Sequence, residues 1–129
     1  MQRPRIPVWV SGAWPRVKSM RRAARWDGWI PHYLPREGEP EAFTPEVLAE
    51  AVAWLRERRA AAGLDASFDV VAEGTTPADD ADAAAELVRP WREAGATWWL
   101  DADWSDMDPT RVREAAERRL AAGPPRPPA

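Results

Sequence analysis

Pro7-Val8-Trp9-Val10-Ser11-Gly12-Ala13-Trp14-Pro15 decides the reading of this chain. The first half is an apolar run of β-branched and aromatic residues without strict alternation. Strands buried on both faces of a parallel sheet look like this. The second half turns toward a helix: Ser11-Gly12 closes the run, and Pro15 suits a first helical position, where a missing N–H costs nothing. Free amides in such a turn, ahead of a positive helix end, suit a phosphate. Gly12 would let the ligand approach the backbone of Ser11, Gly12 and Ala13, and Arg16 and Lys18 add positive charge. An ordinary tight turn between strand and helix accounts for the same residues.

Working outward, strand-like runs occupy residues 6–10, 28–32 (Gly-Trp-Ile-Pro-His), 68–72 (Phe-Asp-Val-Val-Ala) and 97–100 (Thr-Trp-Trp-Leu). Helical spacing fills the gaps. Residues 15–25 place Val17, Met20, Ala23 and Ala24 on one stripe. A second helix spans 45–62, capped by Thr44, opened by Pro45-Glu46 and stopped by Gly63, with Val47, Leu48, Ala51, Val52 and Leu55 inward. The third starts at Thr76-Pro77, buries Ala84, Leu87, Val88 and Trp91, and is expected to kink or break at Pro90. The fourth opens at Asp108-Pro109 and buries Val112, Ala115, Ala116 and Leu120. Residues 33–43 form a longer loop, and the Pro-rich residues 124–129 read as a disordered tail after one domain of residues 1–123.

The order β-α-β-α-β-α-β-α predicts the α/β class, with parallel strands and right-handed crossovers. Four consecutive βα units make either a small open sheet or half of a TIM-type (β/α)8 barrel, and the pattern alone does not separate them.

Composition excludes several function classes. With no Cys there are no disulfides or thiolate metal sites, and a single His rules out a multi-His centre. A net charge of -3 gives no global basic field for nucleic acid. No run approaches the ~20 apolar residues of a membrane span, and no signal-peptide core follows the N-terminus, so a cytoplasmic protein is expected.

Candidate chemistry collects where strands end, since ligands of parallel α/β folds bind there. His32 is the candidate catalytic residue, able to orient a substrate or shuttle a proton. Glu73, Asp101 and Asp103 stand at equivalent places as possible general bases or cation ligands. Trp29, Trp98, Trp99 and Trp104 are candidates for a flat aromatic pocket, while Trp9, Trp54 and Trp91 suit the space between helices and sheet.

Taken together, "PVWVSG" (7–12), "MRRAARWDGW" (20–29), residues 70–77 (Val-Val-Ala-Glu-Gly-Thr-Thr-Pro) and residues 94–100 (Ala-Gly-Ala-Thr-Trp-Trp-Leu) resemble the later half of the luciferase-like monooxygenases. That family comprises flavin- or deazaflavin-dependent oxidoreductases on a (β/α)8 barrel. The resemblance runs from Pro7 to about Leu120. It implies that Ser11, Gly12, Ala13 and Arg16 help hold the phosphate of FMN or of the deazaflavin coenzyme, and that the four strands are the last four of the barrel. It also implies a small organic substrate. The first four strands and most catalytic contacts belong to the family's earlier half. The chain is therefore expected to be a fragment, a decayed gene product, or a half-barrel completed by a second copy or another chain through its sheet edges. A non-catalytic half-barrel that serves as an assembly module is the alternative.

Overall fold

In a computed structural model, residues 3–103 and 108–124 are described. Eight elements follow in strict alternation: β1 (Trp9–Trp14), α1 (Val17–Ala23), β2 (Gly28–Tyr33), α2 (Pro45–Ala61), β3 (Asp69–Gly74), α3 (Ala81–Glu93), β4 (Trp98–Asp101) and α4 (Pro109–Ala122). The strands form one parallel sheet in chain order, β1-β2-β3-β4. Each connection therefore advances the sheet by one strand and never reverses, which sets successive helices side by side. α1 packs on α2, and α2 on α3.

The core lies between this helical layer and the sheet. Met20, Ala23 and Ala24 meet Trp29 and Val70 from the strands and Leu48, Ala51, Val52 and Leu55 from α2. Each large apolar side chain there contributes roughly 1.5–3 kcal/mol by leaving water. Thr44 starts α2 by accepting from the Val47 amide at 3.4 Å, and Pro45 occupies the first turn. Because side chains alternate along a strand, Trp9, Ser11, Ile30, His32, Val71, Glu73, Trp98 and Leu100 project to the face away from these helices. Trp98 there is 49% exposed and rests against Trp9, with ring centroids 5.1 Å apart.

Four expectations need correction. The first strand does not end at Ser11-Gly12. All six residues of β1 pair with β2, from Trp9 opposite Gly28 to Trp14 opposite Tyr33, so Ser11, Gly12 and Ala13 are strand and α1 begins only at Val17. The third helix starts at Ala81 rather than at Thr76, because Asp80 caps it by accepting from Ala83 while the Thr76 amide and hydroxyl both engage Asp101. Pro90 does not break that helix. It stands three residues from the end, and the Ala94 amide still donates to the Pro90 carbonyl at 2.9 Å. Finally, α4 is capped by Asp108 as expected, yet buries none of its stripe: Leu120 is 81% exposed. Trp104 and all but the first residue of the Pro-rich tail lie outside the described residues.

Candidate functional site at the strand ends

Pro31 shapes the rim. Ladder pairing between β2 and β3 covers only Gly28 with Asp69 and Trp29 with Val70. Pro31 then presents no N–H to continue a ladder. Past that point β3 pairs instead with β4, Val71 to Gly74 against Trp98 to Asp101. A cleft of about 170 Å³ opens between the separated ends of β2 and β3, lined by Ile30, His32, Phe43, Val71 and Glu73 among others. His32 and Glu73 are exposed and reach this cleft from neighbouring strands. An imidazole and a carboxylate at one mouth can relay a proton or orient a polar group of a ligand.

Asp101 is differently engaged. Its carboxylate accepts from both the amide and the hydroxyl of Thr76 and lies 3.4 Å from the Arg119 guanidinium. Arg119 in turn donates to the Thr76 hydroxyl at 2.6 Å and to the carbonyls of Pro77 and Gly123. The cluster ties the end of β4 to the turn after β3 and to α4. Nothing in the local sequence marks Thr76 or Arg119, since the three partners are far apart in the chain. Among the described residues, no group of three acidic or imidazole side chains is placed to hold a metal ion.

The opening strand uses its backbone internally. Val8 and Trp14 direct their carbonyls to Asp27 and Leu34 on the β2 side. The same parity turns the Gly12 backbone toward β2, where its carbonyl also accepts from the Trp29 indole at 2.8 Å. A Cβ on Gly12 would stand 2.8 Å from that indole nitrogen and 3.1 Å from the Ala23 methyl. The glycine is thus needed for close approach, but what approaches is the Trp29 ring. On the outer edge, the Ala13 amide donates to the Ser19 hydroxyl at 2.9 Å, and the Ser11 carbonyl accepts from Arg22 at 2.8 Å. Of the three amides expected to form a cradle, that of Ala13 is thus taken by Ser19 within the fold. Arg16, by contrast, is exposed at the turn into α1.

Of the tryptophans foreseen as a flat pocket, Trp29 is fully buried in the core and Trp99 packs against Trp91, with centroids 6.1 Å apart. Trp98 alone of the described three offers a half-open ring. No protein-family model, no curated protein and no solved structure matches the chain.

Proposed function

We propose that the chain is the C-terminal half of a flavin- or deazaflavin-dependent (β/α)8-barrel oxidoreductase, its cofactor lying across the strand ends on the face away from the helices. The observation that carries this reading is the strand order. Four parallel strands in unbroken chain order, with helices packed side by side, are compatible with a barrel segment and favour it over a doubly wound sheet, whose order reverses at a switch point. The resemblance of residues 7–120 to luciferase-like monooxygenases supplies the chemistry. The Ala13 amide does not fit the phosphate of the cofactor, being engaged by Ser19 within the fold; exposed Arg16 and Lys18 are the cations placed to meet it. Redox chemistry belongs to the cofactor when bound. The part of this chain is to orient it at the rim of the sheet and to hold a proton at His32, near Glu73.

Titration with FMN and with the deazaflavin coenzyme, followed by fluorescence, tests this. Saturable binding of one of them is expected, weakened several-fold by Arg16→Ala. A folded chain that binds neither overturns the cofactor reading. The bare apolar stripe of α4, with Trp98 and Leu100 exposed on the sheet, favours a second reading as an assembly module. That reading predicts self-association in sedimentation runs without any coenzyme.

A further inference from the structure

A second cavity lies on the helix side of the sheet, apart from the His32 cleft. It has a volume of about 650 Å³, bordered by the ends of β1 and β2, the first three turns of α2 and the loop 34–44. That is within the ~300–1,000 Å³ typical of small-molecule sites. Its walls include three aromatic side chains, Trp14, Tyr33 and Trp54, and three carboxylates, Glu39, Glu46 and Glu50. Trp14 and Trp54 meet edge to face at 6.3 Å.

The charge balance is uneven. Arg36 is the one cation in the wall, and its guanidinium is committed to the Pro15 carbonyl at 2.6 Å and to Glu39 at 3.8 Å. Glu46 belongs to the start of α2, where Thr44 and a backbone amide hold its carboxyl below the usual range. Glu50 is exposed on the same helix and is free to meet a ligand at the cavity mouth. It stands one turn after Glu46, an i,i+4 placement of like charges that repel each other. Among the described residues, neither Glu46 nor Glu50 is in an ion pair. The acidic side of the cavity also acts on Tyr33, whose phenol is held above its ordinary range by burial and then by Glu39 and Glu50. Trp54 already attracts a cation from outside, with the Arg58 guanidinium 5.3 Å from its ring centre.

We propose that this cavity binds an organic cation, a quaternary or aryl-substituted ammonium whose charge is received by Glu50, beside the Arg36-paired Glu39, and whose body lies against Trp14, Tyr33 and Trp54. Aromatic faces attract a cation through the ring quadrupole, and a diffuse ammonium loses little hydration on leaving water. An anion is disfavoured by the carboxylates, and a bare metal ion has no suitable ligand group here. The proposal stands independently of the redox reading, because none of its residues lines the rim cleft apart from Tyr33.

Calorimetric titration with benzyltrimethylammonium tests it, beside two controls: neopentylbenzene, its uncharged carbon isostere, and phenylphosphonate. Saturable binding of the cation is expected, with both controls and the Glu50→Gln variant weaker by about tenfold or more. Circular dichroism establishes that the variant is folded, and Glu39→Gln replaces it if it is not. Equal binding of the carbon isostere, preference for the phosphonate, unchanged affinity in the variant, or no binding of the ammonium overturns the proposal.

Discussion

Arg59 is the residue on which the helix side of the fold turns. Its side chain is only 7% exposed, and its guanidinium donates five hydrogen bonds to the carbonyls of Ala24, Trp26, Asp65 and Ser67. It also lies 4.6 Å above the Phe68 ring. These acceptors sit at the end of α1 and in the segment leading to β3, so one planar fork fastens α2 to both neighbours. Lysine places a single point charge there and cannot span four carbonyls. Arg59→Lys is therefore expected to cost about 2–4 kcal/mol in urea unfolding. Exposed Arg58→Lys should stay within about 0.5 kcal/mol. Equal effects at the two positions would refute the account. Asp27 makes a second local tie. Its carboxylate accepts from Arg5 at 2.6 and 2.8 Å and from the Val8 amide at 2.6 Å. The Arg5 side chain first, then the Val8 amide, hold its carboxyl below the usual carboxylate range. A carboxyl whose value is depressed on folding stabilises the native state above its ordinary value, and the contribution fades as pH falls through the depressed one. Asp27→Asn should therefore lower the thermal midpoint at neutral pH. The gap to the parent should close as pH falls below the ordinary carboxylate range, and a gap independent of pH would show that packing rather than charge is responsible.

At the scale of elements, the sequence reveals what is local and conceals what depends on distant partners. The alternation of strands and helices is legible because each βα unit carries its own periodicity and its own stops. The same holds for the start of α2 at Thr44-Pro45 and of α4 at Asp108, where the cap accepts amides two and three residues on. The length of β1 is not local. It extends to Trp14 because β2 supplies six partners, and no property of Ser11-Gly12-Ala13 announces that. Gly12 illustrates the point: the need for a small residue is legible, while the identity of the group it admits, an indole seventeen positions away, is not. Thr76-Pro77 has the form of a helix start, but a carboxylate 25 positions downstream takes its amide first. The candidate site divides the same way. His32 and Glu73 are legible as rim residues because both follow strand patterns, whereas the acidic aromatic cavity draws on a strand end, a loop and a helix face that only the fold brings together.

Over the whole molecule, burial falls off toward the C-terminus. The packed layer is built from α1, α2, β2 and β3, where Met20, Trp29, Leu48 and Leu55 are almost wholly enclosed. The α4 helix has no buried residue and is fastened chiefly by Arg119 to the turn after β3. A helix of 14 residues without a buried face is marginal on its own in water. Its amides should therefore open locally, while those of α2 and of the paired part of β2 exchange only when the whole core unfolds. Hydrogen exchange read residue by residue should find α4 faster than α2 by about a hundredfold or more, and faster still in Arg119→Ala. The comparison must be made at two protein concentrations, because the outcome separates the two ways of using an open sheet. If α4 becomes as protected as α2 only at the higher concentration, its stripe of Val112 and Leu120 is covered by another copy, and the molecule works as an assembled pair. If α4 is as protected as α2 at both, the stripe is covered within the monomer and the gradient argued from burial is wrong. Rapid exchange at both leaves the chain a monomer with one loosely held end, and the cofactor reading must then stand on this half alone.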